Sequence, residues 1–434
     1  MAQIKPFNGL LYNAGKIGGS YENVMAPPYD VISGNMSDDL YDKSDYNIIR
    51  LILGRSFDGD NALNNKYTRS RDFLKEWQEL GILVKDQEEV FYVYAQDYDH
   101  KGTMCRRVGF IGLMKIGERG NDAVIPHEHT LARPKEDRMN LIKQVKSNLS
   151  PIFTLYDDRK GRIYGILEKC MGTPPVITAD LEDGCHRVWR LLDRNEVNTI
   201  VDQMKDKRVL IADGHHRYEV ARTYRDICRQ QEGYDGSADY VMMYFADMDE
   251  RNDLTVMATH RVIKDMPDHS SAAVEKKLGG YFDVTRYKSL PGLMERLEKE
   301  APSGYVYGYF SGEDYLFISS KDKSGILSLM KEDKSDEWKQ LDVSVLHNCI
   351  LRDLLAAGAV EGNITYLRDA EEAVALVKGG SHKAAFLMNP TPVSQLRAVA
   401  EKGDMMPQKS TYFYPKLLTG LVINVLEGNF VRTP

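Results

Sequence analysis

The alternation of apolar and polar positions along the chain switches repeatedly between the two regular periods, and that switching predicts a mixed α/β protein. From about Leu63 to Leu80, Tyr67, Phe73, Leu74, Trp77 and Leu80 recur at helical spacing and the segment ends at Gly81. Glu89 to Gln96 then alternates with period two through Val90, Tyr92 and Tyr94, and Arg107 to Lys115 is a denser apolar run containing Gly109 and Gly112. Together they predict a half-buried hairpin. Pro126 to Asp157 reads as loop, amphipathic helix through Leu141, Ile142 and Val145, and then a strand at Ile152-Phe153. The continuous run Val209-Leu210-Ile211-Ala212 followed by Asp213-Gly214-His215-His216-Arg217 and an amphipathic stretch predicts strand, tight turn and helix. Tyr240 to Asp247 reads as a further strand, and His260 to Ile263 as one that closes the first region.

Beyond about Asp265 the alternations shorten. Strands are predicted at Tyr305 to Phe310, Tyr315 to Ser319 and Ala384 to Met388, and helices at Trp338 to Ala357, Ala370 to Val377 and Val393 to Glu401. At 434 residues the chain exceeds the size at which one core stops growing, roughly 250 to 300 residues. The expectation is a first domain over 1–265 and an α+β second domain over 266–434. Met405 to Lys416, polar and interrupted by proline, reads as a functional loop.

Composition adds exclusions. The chain is 42% hydrophobic and 28% charged with a net charge of −7, ordinary for a globular protein and no invitation to nucleic acid. No apolar run approaches the ~18 residues of a membrane span, and the N-terminus has no leader pattern. Cys105, Cys170, Cys185, Cys228 and Cys349 form no C-x-x-C pair, so zinc, haem and iron–sulfur centres are not expected and a cytoplasmic location is.

Candidate chemistry concentrates in two places. At Asp213 to Arg217, Gly214 lets the backbone turn its N–H groups toward a ligand at a helix start, which favours an anion. Arg217 offers bidentate recognition of phosphate oxygens, His215 and His216 can donate to them, and Asp213 can accept a proton or hold magnesium. The bland alternative is a helix cap with two packed histidines. The second place is Pro126-His127-Glu128-His129-Thr130 with Lys135 and Arg138. Glu128 is the general-base candidate, and His127, Thr130, Lys135 and Arg138 are phosphate-binding candidates. As a zinc motif this string fails, because its histidines are two residues apart rather than four. Lys409, Ser410, Thr411 and Lys416 form a weaker cationic and hydroxyl-rich group. Asp183-Gly184-Cys185-His186-Arg187 imitates the main motif, but Val188-Trp189-Arg190-Leu191 after it reads as a strand, so it is taken for a decoy.

Five ordered segments resemble a prokaryotic family catalogued as domain of unknown function 1015. They are Ala26 to Ile32, His127 to Thr130 with Lys135 and Asp137-Arg138, Asn148 to Phe153, Ala212 to Glu219, and Met406 to Thr411. The similarity spans nearly the whole chain. The Asp-Gly-His-His-Arg string is also similar to the nucleotide-binding motif of free-serine kinases in the ParB/sulfiredoxin-like superfamily. That resemblance implies a ParB/sulfiredoxin-like first domain, donor phosphates on Gly214, His215, His216 and Arg217, assistance to phosphoryl transfer from Asp213, and Glu128 as base by analogy; His216 is also a catalytic candidate. It implies a small-molecule kinase, of the free-serine type, using magnesium and a nucleotide or pyrophosphate donor. A nucleotide-binding regulatory module without catalysis and a phosphoester or nucleotide hydrolase are the alternatives. The expected partner is a small phosphate-bearing molecule, not nucleic acid or membrane.

Overall fold

The computed structural model describes residues 2–118, 123–128, 132–249, 251–357 and 362–426. Backbone contacts divide the chain into two compact units: Met1–Pro126, Thr130–Thr255 and Pro415–Pro434 form the first, and His127–His129 with Val256–Tyr414 the second. The chain therefore passes between units at residues 126, 129, 255 and 414, rather than once near Asp265. The last segment returns to the first unit.

The first unit is built on a nine-stranded mixed sheet. Its strands are β1 (Ile4–Lys5), β2 (Phe91–His100), β3 (Thr103–Lys115), β4 (Val124–Ile125), β5 (Ile152–Tyr156), β6 (Ile177–Leu181), β7 (Gly184–Leu191), β8 (Val209–Asp213) and β9 (Tyr240–Asp247). The order is β4-β8-β5-β9-β3-β2-β7-β6, with β1 beside β3. Its helices include α1 (Lys66–Glu79), α2 (Ala132–Val145), α3 (Arg162–Met171), α4 (Arg194–Met204) and α5 (His215–Cys228). The predicted helix, the β2–β3 hairpin and the strand–turn–helix at Asp213 are all present. The helices α3 and α4 have no counterpart among the predicted elements.

The hairpin is not half-buried. On one face Phe91, Val93, Val108 and Phe110 join a core with Ile163 and Leu167 of α3 and Ile200 of α4. On the other, Tyr92 and Tyr94 are also buried. There the final segment crosses the sheet: Gln96 Nε2 donates to the Lys416 carbonyl at 3.0 Å, the Leu418 amide to Tyr94 Oη at 3.4 Å, and Arg107 to the Pro415 carbonyl. Alternation in β2 thus reports two buried faces that differ in polarity, because tyrosine and glutamine supply partners for a crossing backbone.

The second unit carries a six-stranded antiparallel sheet. Its strands are β10 (His260–Ile263), β11 (Phe282–Tyr287), β12 (Val306–Phe310), β13 (Tyr315–Ser320), β14 (Ile364–Leu367) and β15 (Ala384–Leu387), in the order β11-β13-β12-β15-β10-β14. Strand β10 does not close the first region as its position in the sequence suggests. It pairs instead with β14 and β15, more than a hundred residues further on, a partnership local pattern cannot report. Helices α6 (Leu290–Glu300) and α7 (Ala370–Lys378) pack Leu293, Leu297, Ala373 and Val374 onto Val306, Phe317 and Leu387. The helix expected over Trp338 to Ala357 is broken. A turn at Asp336–Lys339 ends before the extended Leu341, and Val345–Leu354 winds as a π-helix. Among the described residues, no helix is long and apolar enough to cross a membrane.

Candidate functional site

The Asp213 motif stands where β8 gives way to α5. Val209 to Ala212 are buried, and β8 pairs with β5 until a register shift between Ile211 and Asp213. The irregularity falls at the end of the strand, where Asp213 leads into the turn. Gly214 has φ 96° and is the N-cap of α5. That backbone region strains any side chain, and a Cβ here would also come within 2.9 Å of Arg217 Nη2. Glycine is required for the turn, and the guanidinium folded across it would have to shift for any larger residue. No side chain caps the fourteen-residue helix that follows, which is anchored by Tyr218, Val220, Ala221 and Tyr224 in the core. Its positive dipole end and first turn lie beside Arg217.

Two cations meet Asp213. Lys416 Nζ donates to Asp213 Oδ2 at 3.2 Å, and Arg217 Nη2 lies 3.8 Å from the same oxygen. Arg217 also donates to the Pro151 carbonyl. Both charged side chains are largely covered, Lys416 to 11% and Asp213 to 21% exposure. Burial pushes the Asp213 carboxyl up, but Lys416, Arg217 and His215 more than reverse it and hold the group well below the usual carboxylate range. A carboxylate so stabilised is a weak base. Asp213 suits anchoring Lys416 and Arg217 better than accepting a proton. His215 is buried and His216 half-buried in the first turn.

Lys135 and Arg138 lie on α2, also in the first unit. Asp137 receives Lys66 Nζ at 2.7 Å, Tyr67 Oη at 2.8 Å and Arg138 Nε at 2.9 Å. Burial raises its pKa, but Arg138, Lys66 and Tyr67 pull it down to about 2. Arg138 donates to the Ile52 carbonyl at 2.7 Å and stacks on Tyr29, 4.0 Å from the ring centroid. Lys135 is half-buried on the same helix.

His127, Glu128, Lys409, Ser410 and Thr411 belong to the second unit. His127 Nε2 is 3.1 Å from Thr411 Oγ1, and the Met406 amide donates to the His127 carbonyl at 2.6 Å. Thr391 Oγ1 donates to the Ser410 carbonyl at 3.1 Å, and Lys409 holds a left-handed φ of 57°. Beneath the loop, buried Arg261 donates to the Lys409 carbonyl at 3.1 Å and to His347 Nε2 of the π-helix at 3.3 Å. Burial lowers the Arg261 pKa to about 10, with Glu128 among the groups opposing that shift. Burial, with Arg261 beside it, takes His347 down to about 3, so that histidine is neutral. Thus the four residues grouped as Lys409, Ser410, Thr411 and Lys416 divide: three join His127 and Glu128, and Lys416 joins Asp213. Glu128 and Asp213 are not brought together within one unit. Thr130, with His129, lies outside the described residues.

Sequence reasoning missed Tyr29, Arg261 and His347, and missed Lys416 as the partner of Asp213. Tyr29 sits in one of the segments that carry the family resemblance, which was the available signal. The others depend on contacts across long stretches of chain. The strand expected at Val188 to Leu191 is present and already begins at Gly184 within the imitation motif: His186 bonds Tyr94 Oη at 2.7 Å and Asp183 at 3.2 Å, and Arg187 pairs with Asp97. Burial, with Asp180 beside it, pushes the Cys185 thiol up to about 11.

Magnesium fits poorly as a protein-held ion. Among the described residues no group of three or more histidine, cysteine or acidic side chains is placed to hold a metal, and Asp213 already faces two cations. Magnesium commonly relies on one or two carboxylates plus ligand phosphates, and here Lys416 and Arg217 occupy the position such an ion would take against Asp213.

No curated protein matches the chain in sequence. Among solved structures it is similar to a free serine kinase in complex with AMP, at 15% identity over 67% of this chain and 83% of that one, TM-score 0.32. A conserved hypothetical protein from Pyrococcus furiosus is similar at 15% identity, over 70% and 92%, TM-score 0.32. SbnI with a C-terminal truncation, from Staphylococcus aureus, is similar at 11% identity, over 74% and 90%, TM-score 0.34. Residues 4–344 match the model of the family described as protein of unknown function, DUF1015, and the chain belongs to that family.

Proposed function

We propose that Gly214, His215, Arg217 and Lys416 bind phosphate groups of a small molecule, and that the protein is a phosphotransferase acting on an alcohol acceptor such as free serine. The observation that carries this reading is the start of α5 at a left-handed Gly214, with Arg217 folded across it and Lys416 fixed by Asp213. Backbone donors, a helix dipole and two cations around one carboxylate leave net positive charge where a phosphate would sit. In the transfer, the acceptor oxygen bonds to the terminal phosphorus, the bridging P–O bond breaks, and the hydroxyl proton leaves to a base. Glu128 and His216 are the candidates for that base.

A second reading is a nucleotide-binding regulatory module. It is favoured by the suppressed basicity of Asp213. Purified protein incubated with serine and ATP, ADP or pyrophosphate separates the two. Phosphoserine detected by mass spectrometry, and lost in Glu128→Gln, supports transfer. Calorimetric binding of nucleotide with no phosphorylated product supports the module. Phosphate release without serine would instead support hydrolysis. If neither pyrophosphate nor any nucleotide binds, the phosphate reading falls.

A further inference from the structure

The segment that carries Lys416 into the first unit is held in two different ways. From Thr419 onward it pairs backbone to backbone, Thr419 with Ala26, Ile423 with Leu10 and Asn424 with Asn148. Just before that, side chains hold its backbone. Arg107 of β3 donates to the Pro415 carbonyl, Gln96 Nε2 of β2 donates to the Lys416 carbonyl at 3.0 Å, and the Leu418 amide donates to Tyr94 Oη at 3.4 Å.

The first two of these contacts fall on either side of one Cα. The Pro415 carbonyl belongs to the peptide plane that enters Lys416, and the Lys416 carbonyl to the plane that leaves it. Peptide planes are rigid, so holding both fixes φ and ψ of Lys416 and with them the direction of its Cα–Cβ bond. From that start Lys416 Nζ reaches Asp213 Oδ2. The two holding residues are locked to each other, with Arg107 Nε donating to Gln96 Oε1 at 2.9 Å. The Arg107 guanidinium also lies 4.7 Å from the ring centroid of Phe153, whose backbone pairs with Asp213. Both ends of the Lys416–Asp213 contact are therefore tied to the same buried group.

That group is costly to keep. Gln96 and Arg107 are 1% and 0% exposed, and a guanidinium taken out of water loses its hydration. An apolar floor would pack beneath a crossing chain without that cost. What it would lack is donors, and the donors here fall around Lys416.

We propose that Gln96 and Arg107 are positioning residues, which act through the backbone of Lys416 to place its ammonium at the phosphate site beside Gly214 and Arg217. The inference rests on the phosphate reading above for the ligand, and on the contacts alone for the placement of Lys416.

The test is a double-mutant cycle on the full chain, read by calorimetry with inorganic pyrophosphate. Gln96→Met, which keeps the length of the side chain and removes the donor, lowers pyrophosphate affinity ~5-fold or more, and Lys416→Met lowers it ~10-fold or more. Because Gln96 acts through Lys416, the double variant binds within about twofold of Lys416→Met alone. Losses that multiply, or an unchanged affinity in Gln96→Met, overturn the inference and leave the phosphate site standing.

Acid unfolding gives a second readout that needs no ligand. Asp213 is held ionised by Lys416, Arg217 and His215, so displacing Lys416 raises its native pKa toward the unfolded value. Gln96→Met therefore shrinks the loss of stability below about pH 4, in the same direction as Lys416→Met and by no more. A loss of stability that is equal at every pH marks a merely structural role and overturns the inference. Where pyrophosphate does not bind the unaltered protein, the phosphate reading falls and the acid profile alone decides whether Gln96 places Lys416. Gln96→Asn, which shortens the reach of the amide by one methylene, replaces Gln96→Met in both measurements where the latter folds poorly.

Discussion

Asp183-Gly184-Cys185-His186-Arg187 and Asp213-Gly214-His215-His216-Arg217 differ at one position in five, yet the first unit folds them into different structures. The first enters strand β7, with Gly184 at φ 138° pressed against β2, where a Cβ would come within 2.4 Å of the Asp97 carbonyl oxygen. The second leaves strand β8 and opens helix α5 at Gly214. In the strand, the histidine and arginine project sideways and are taken up by Tyr94, Asp183 and Asp97. At the helix start, amides and dipole converge with Arg217 on one spot. The residues of this pentapeptide therefore do not by themselves decide its conformation; the pattern that follows them does. Val188 to Leu191 continues with buried Val188, Trp189 and Leu191 in a sheet, whereas Tyr218, Ala221, Tyr224 and Cys228 form a helical stripe.

Exchanging a charge in each string gives the largest expected contrast. Asp213→Asn removes the carboxylate that Lys416 and Arg217 share, and should cost about 3 kcal/mol in urea unfolding. Asp183→Asn, at a site one third exposed, should cost under about 1 kcal/mol. Comparable losses would mean the two aspartates do the same job.

The glycines come next. Gly214→Ala must adopt a left-handed backbone and push Arg217 aside, so about 1–2 kcal/mol of stability is lost and pyrophosphate affinity falls ~10-fold or more by calorimetry. Gly184→Ala is strained as well, yet pyrophosphate affinity of the folded protein should not change. A binding defect in Gly184→Ala would break the distinction drawn between the strings.

Acid unfolding probes the same contrast. The native Asp213 carboxyl titrates below its unfolded value, so its contribution is present above the unfolded pKa, about 3.9, and is lost as pH falls from there through the lower native value. Lys416→Met removes the strongest of the opposing charges and should raise the native pKa, shrinking the loss of stability below about pH 4. An unchanged acid limb in that variant would show that Lys416 does not hold Asp213 ionised.

The smallest effects belong to the imitation motif. Burial pushes its Cys185 thiol up, so the thiol is neutral at pH 7, and Cys185→Ser should change stability by no more than about 0.5 kcal/mol. His186→Gln, which trades an imidazole bonded to Tyr94 for an amide, should cost about 1 kcal/mol. Neither should alter ligand binding.

Much of this was legible beforehand where the signal is local. The helix at Lys66–Glu79, the β2–β3 hairpin and the strand–turn–helix at Asp213 each follow from periodicity and a glycine, all within one stretch of chain. The burial of β2 on both faces was not, because the covering segment at Pro415 to Leu418 lies some three hundred residues away. The break at Leu341 is hidden for a related reason. Apolar residues such as Trp338, Leu346 and Ile350 keep helical spacing through a segment whose backbone is extended at one residue and π-wound after it.

That Asp213-Gly214 ends an apolar strand and begins an amphipathic helix is dictated by the sequence alone, since period, glycine and burial pattern are properties of neighbours in the chain. Which distant charges meet there is set by the tertiary fold. Lys416 reaches Asp213 across 203 residues, while Glu128, 85 positions before Asp213 in the numbering, is assigned to the other unit with Lys409 to Thr411. Sequence separation carries almost no information about such pairings, because closing a longer loop costs only slightly more than closing a short one, and the sum of packing across the sheet selects among them.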